Sequence, residues 1–230
     1  MTRDLKPLEA KLGVEFKDPD RLRQALVHRS YINEHPKFAL SHNERLEYLG
    51  DAVLELAVTE FLYQHYPNPE GDLTNWRASV VNSKILADIA REVGIDEFIY
   101  LSRGEAKDQN GKARQSILAN AFEAVIGALY LDQGFKACQQ VVEQHVLDKL
   151  PDIIANRLYL DPKSRLQEAS QDRLGLTPLY RVLAEWGPDH DKHFRVAVYF
   201  GDEEAAVGEG ASKQEAQVQA AEAALRTKGW

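Results

Sequence analysis

The 230-residue chain predicts two folded units of different class: an all-α domain over residues 1–150, then a small α+β domain in the order α-β-β-β-α over residues 161–230. Three observations carry this reading. Apolar residues recur at helical spacing almost without a break up to Pro151. Beyond Leu160, apolar and polar residues alternate in short stretches typical of strands. Each part is long enough to bury its own core, and composition makes residues 151–160 the candidate linker.

In the first domain amphipathic helical runs cover residues 20–27, 43–66, 82–93, 117–131 and 135–149. Within 43–66, Leu46, Leu49, Val53, Leu56 and Ala57 share one side at helical spacing. Glu44, Glu47, Asp51 and Glu55 fall in a narrow arc on the opposite side, at about 100° per residue. Like charges three or four apart repel by about 0.2–0.5 kcal/mol per pair, and Arg45 is the only Lys or Arg in the run. Either this face is solvated or a cation compensates it. Gly50, in its midst, costs up to about 1 kcal/mol against alanine, which a close neighbour would justify.

In the run from Gln115 to Leu131, Glu123 is the only charged side chain. The run is too short and too polar to span a bilayer, which takes about 20 mainly apolar residues, so it reads as a helix through a protein core. A carboxylate there must be protonated, paired with Lys or Arg, or bound to a metal, because an isolated buried charge is costly. Asn120, three residues earlier, shares its face. Two helices that each offer oxygen donors favour a hard cation, Mg²⁺ with Mn²⁺ as substitute.

The second domain starts with a helix at 161–172 and continues with strands at 179–185, 194–200 and 205–210. An alanine-rich helix at 212–227 ends it, with Ser212 as N-cap and Glu215 three residues on. Single Cys138 excludes an internal disulfide framework and fits a reducing compartment. Residues 1–12 mix Arg, Asp, Lys and Glu without an apolar core, so they are neither a secretory signal nor a transit peptide. A cytoplasmic protein with no membrane partner is expected. A net charge of −8 excludes a general nucleic-acid-coating protein.

The run Asn43-Glu44-Arg45-Leu46-Glu47-Tyr48-Leu49-Gly50-Asp51-Ala52-Val53-Leu54 resembles the signature stretch of the ribonuclease III family, and residues 117–132 resemble that family's second metal-binding helix. Leu26-Val27-His28-Arg29-Ser30-Tyr31 and residues 71–82 extend the resemblance over most of residues 5–150. The second unit resembles a double-stranded-RNA-binding domain through Lys163-Ser164-Arg165-Leu166-Gln167-Glu168, the loop Gly187-Pro188-Asp189-His190, and Gly208 to Ala216 with Ala220 and Ala221. The resemblance implies an all-α endonuclease domain joined to an α+β double-stranded-RNA-binding domain, acting as a homodimer on double-stranded RNA. Cleavage would leave 5′-phosphate and 3′-hydroxyl ends in the processing of ribosomal and other precursor RNAs.

Carried over position by position, the resemblance implies Asp51 and Glu123 as catalytic residues and Glu47, Asp51, Asn120 and Glu123 as metal ligands. Glu44 is a supporting carboxylate and Tyr48 a dimer contact. Gln167, Glu168, His190 and Lys213 would contact RNA. His28 reads as structural rather than as a general base, and Arg77, Lys84 and Arg114 as solvated surface. Two departures stand out. Asn120 occupies a position usually held by aspartate, and Lys213-Gln214 stands where two lysines are usual. The first keeps an alternative open, a cleavage-impaired double-stranded-RNA-binding protein; a hydrolase of another phosphate substrate would leave the second domain unexplained. Residues 161–230 carry nine Lys or Arg against twelve Asp or Glu, which predicts modest RNA affinity with a shallow salt dependence.

Overall fold

The computed structural model describes residues 3–107, 111–188 and 191–230. The chain divides into two compact units, Met1–Asn156 and Arg157–Trp230. The first is helical: α1 (Lys6–Leu12), α2 (Pro19–Ala25), α3 (Arg29–Glu34), α4 (Glu44–His65), α5 (Glu70–Val80), α6 (Ser83–Glu92), α7 (Ile95–Phe98), α8 (Lys112–Gln133), α9 (Phe135–His145) and α10 (Leu150–Ala155). Helix α8 is its axis. Leu118, Ala121, Phe122, Val125, Ile126 and Leu129 are wholly buried, with α2, α4, α6 and α9 packed around them.

The crossing of α4 over α8 is a backbone contact. A methyl group built on Gly50 would collide with the Glu123 carbonyl and lie 2.8 Å from the Gly127 nitrogen, and one on Gly127 would meet the Leu46 carbonyl. Glycine at both positions removes the side chains that would otherwise hold the axes apart.

Leu46, Val53 and Ala57 of α4 are buried, as their spacing predicts, but Leu56 is 55% exposed. The helical step places it about 80° round from Leu46, on the opposite flank from Leu54, which lies as far round the other way and is wholly buried, so the covering neighbour and not the angle decides. Residues 151–155, read from composition as linker, lie in α10, where Leu150 and Ile153 are buried.

The second unit contains α11 (Pro162–Leu174), β1 (Pro178–Trp186), β2 (His193–Phe200), β3 (Glu203–Gly210) and α12 (Lys213–Lys228). The sheet is antiparallel in the order β1-β2-β3, with Tyr180 opposite Val198 and Val198 opposite Ala206. Leu166, Val198, Phe200, Ala220, Ala221, Ala224 and Leu225 form its core. Small alanines at i, i+1 and i+4 let α12 lie close to the strands. Ser212 caps α12 by accepting from the Glu215 N–H at 3.1 Å, and the Glu215 carboxylate accepts from the Ala211 N–H at 2.9 Å.

Candidate active site

Asn43 fixes where α4 begins. Its backbone N–H donates to the Val27 carbonyl at 2.8 Å, and its buried side-chain amide donates to the Ala25 carbonyl at 3.0 Å. These bonds fasten the start of α4 to the end of α2 and thereby set the helix rotation. Glu44, Glu47, Asp51 and Glu55 then follow along one side of α4. From α8, Asn120 and Glu123 face the same place, because the two-glycine crossing brings the Glu123 backbone against Gly50, next to Asp51.

The electrostatics record this convergence. Burial, followed by the negative charges of Asp51, Glu47 and Glu55, pushes the Glu123 carboxyl up to about 7. Burial and then Glu44 raise the Glu47 carboxyl, Asp51 adds to the rise, and a hydrogen bond from the Asn120 amide opposes it. Glu44 stands at the rim, 3.6 Å from the Arg29 guanidinium and 3.7 Å from His42. Arg29 and His42 are neighbours the sequence reading missed; the only signal was a basic residue on each side of the segment leading into α4.

Among the described residues, no three His, Cys, Asp or Glu side chains already converge as a ligand set. One of the four donors is the neutral amide of Asn120, which is not among those residue types. The chemistry of the donors nevertheless fits a hard divalent cation: all are oxygens, and the Glu123 carboxyl, raised to about 7 first by burial and then by the charges of Asp51, Glu47 and Glu55, is a group that a cation would return to its ionised form.

Other sequence-predicted residues fall as follows. His28 is structural: its ring caps α3, bonded to the Ser30 hydroxyl at 2.8 Å, and burial lowers its pKa. Lys84 is exposed. Arg77, half-buried, donates to the Thr59 hydroxyl at 3.0 Å. Arg114 is not solvated surface; it is buried and paired with Asp96, because α8 carries it inward at the first turn. Tyr48 is 84% exposed and does not pack into its own domain. In the second unit, Gln167 and Glu168 are exposed on α11 and Lys213 is exposed at the start of α12. Glu168 lies 3.2 Å from Arg157. His190 lies outside the described residues.

Comparison with known proteins agrees with both units. Residues 18–150 match the family described as Ribonuclease-III-like, and residues 162–228 match the Double-stranded RNA binding motif. Curated relatives include Ribonuclease 3 of Oceanobacillus iheyensis, 44% identical over 223 residues that cover 96% of this chain and 97% of that protein. Ribonuclease 3 of Chloroflexus aggregans is 42% identical and covers 98% of each chain. Among solved structures, the nuclease domain of ribonuclease III from Campylobacter jejuni is similar with a TM-score of 0.58 and 39% identity, over 64% of this chain and 99% of that one.

A helical nuclease domain followed by a double-stranded-RNA-binding domain defines an endoribonuclease that acts on double-stranded RNA. The chain belongs to the ribonuclease III family. No helix among its described residues is long and apolar enough to cross a membrane.

Proposed function

We propose that this endoribonuclease depends on a divalent cation, Mg²⁺ with Mn²⁺ as substitute, held by Glu47, Asp51, Asn120 and Glu123 with Glu44 in support. The carrying observation is the Glu123 carboxyl, raised to about 7 by burial and by carboxylates of the other helix. A bound ion would lower the pKa of water and neutralise charge on the phosphate oxygens. The protein's own part is positional. The backbone contact of α4 with α8 brings Asp51 towards Glu123, and the Asn120 amide, close enough to Glu47 to oppose the rise of its pKa, adds a neutral oxygen donor beside it. Hydrolysis forms a bond from water oxygen to phosphorus and breaks the bond to the 3′-oxygen. Water loses a proton and the leaving oxygen gains one, giving 5′-phosphate and 3′-hydroxyl ends.

The protein acts as a homodimer. Tyr48 stands out from α4 beside a hollow of about 640 Å³ lined by Leu46, Leu49 and Leu131. Tyr48 and Leu131, both lining this hollow, are 84% and 48% exposed, and large apolar side chains exposed together support an interaction surface. In the Campylobacter jejuni nuclease domain, a flexible region is described as involved in dimer formation. RNA is held by Gln167 and Glu168 on α11, by His190, and by Lys213 at the N-terminus of α12, where backbone N–H groups and the helix dipole favour phosphate. The setting is cytoplasmic, and the substrates are ribosomal and other precursor RNAs.

The test is incubation of the full chain with long duplex RNA over a series of Mg²⁺ and Mn²⁺ concentrations, beside Glu123→Ala and Asn120→Asp variants. Cation-dependent cleavage that Glu123→Ala abolishes, with a 5′-phosphate on the products, supports the reading. Undiminished cleavage in excess chelator refutes it. Binding without cleavage that Asn120→Asp restores would mark an intact fold disabled at one ligand.

A further inference from the structure

The start of α12 offers a single cation, Lys213, followed by Gln214 and Glu215, in a domain with more acidic than basic residues. Two packing features place a second cation beside it. The first is the end of β3: a methyl on Gly210 would lie 2.8 Å from the Ala216 nitrogen, so the first turn of α12 rests directly on the sheet at that point. Gly210 is the register partner of Phe194 in β2. From this position Lys213 reaches over the Phe194 ring, its ammonium 5.6 Å from the ring centroid.

The second feature is the entry into β2. Lys192 immediately precedes the strand, and its ammonium lies 5.9 Å from the centroid of the same ring. One aromatic side chain thus gathers two lysines from different elements. Among the described residues Lys192 has a competing partner in the Glu185 carboxylate at 3.4 Å, which sits opposite Phe194 in the β1–β2 register.

We infer that Lys192 is a second phosphate contact of the RNA-binding domain and that Phe194 is the positioning residue which holds Lys192 and Lys213 together. This rests on the reading of Lys213 as a phosphate contact. An ammonium over a ring is attracted by the ring's quadrupole and keeps its outward hydrogens free for an anion. Glu185 restrains Lys192 until a phosphate displaces it.

The test measures binding of the full chain, in chelator so that no cleavage occurs, to a fluorescent duplex of about 16 base pairs or more across a KCl series. Lys213→Gln and Lys192→Gln should each reduce the slope of log affinity against log salt by about one, with a roughly three- to tenfold weaker affinity at moderate salt. Phe194→Leu should weaken binding while both charges remain. Because that substitution also touches the sheet, Glu185→Gln supplies an independent reading. It should tighten binding about two- to threefold, and the gain should vanish in a Lys192→Gln background. If Lys213→Gln lowers the slope but Lys192→Gln changes neither slope nor affinity, the inference is overturned and the Lys213 reading stands. If neither lysine affects the slope, both fail.

Discussion

Replacing Gly50 by alanine tests the helix crossing on which the site is built. The added methyl would meet the Glu123 carbonyl and lie 2.8 Å from the Gly127 nitrogen. Both are backbone atoms in the middle of a helix and cannot swing aside, so α4 must move off α8. Overpacking a core costs about 1–3 kcal/mol, and a clash against backbone belongs at the upper end. The better helix propensity of alanine returns up to about 1 kcal/mol. A net loss of about 2 kcal/mol lowers the Tm by roughly 4–8 °C for a domain of this size. Gly71 in α5 is the matched control, since nothing lies within 4 Å of a methyl placed there. Gly71→Ala should be neutral or stabilise by up to about 1 kcal/mol. Calorimetry of both variants without divalent ions reads the difference. Equal Tm values for Gly50→Ala and the parent would refute the backbone contact between α4 and α8.

Other consequences follow from the carboxylates and the exposed face of α4. The metal-free fold holds a proton on Glu123 up to about 7 against an ordinary 4.5, so it binds more protons than the unfolded chain in that window and loses stability as pH rises through it. Discounted for partial exposure, the loss is on the order of 1–2 kcal/mol. Glu123→Gln should therefore be more stable than the metal-free parent above pH 7 and no more stable in acid below the window; a thermal-melt series with no such crossover contradicts it. Asn120→Asp removes the amide that donates to Glu47 and adds a charge, so it should lower the divalent-ion concentration needed for cleavage; coincident metal-titration curves would reject this. Tyr48→Ala should weaken self-association in sedimentation while leaving monomer stability within about 0.5 kcal/mol, as for an exposed position. An unchanged association constant would remove Tyr48 from the interface.

The sequence reading found the elements whose periodicity or chemistry is local. Helix α8 was legible because a lone Glu123 in an apolar run has few explanations, and α12 because Ser212 and Glu215 form a cap with a sequence pattern. The first helix, α1, and the short α3 and α7 passed unnoticed, since helices of one or two turns leave little periodicity. Helix α5 was missed for another reason: only Trp76 and Val80 are buried, too few for a stripe. The exposure of Leu56 and the burial of Arg114 depend on which neighbours cover them, which spacing along one helix does not specify. At the site, the sequence supplied the ligand types on each helix. What it lacked was the distance between helices, set by Gly50 against Gly127, and the rim formed by Arg29 and His42 around Glu44.

The central claim is that the face shared by α4 and α8 holds a divalent cation. Electron paramagnetic resonance of Mn²⁺ titrated into the metal-free full chain reads occupancy directly, without RNA or turnover. The account predicts saturable uptake of Mn²⁺ that Asp51→Asn and Glu123→Gln each weaken at least tenfold and that Asn120→Asp strengthens. Uptake unchanged by Glu123→Gln would contradict it.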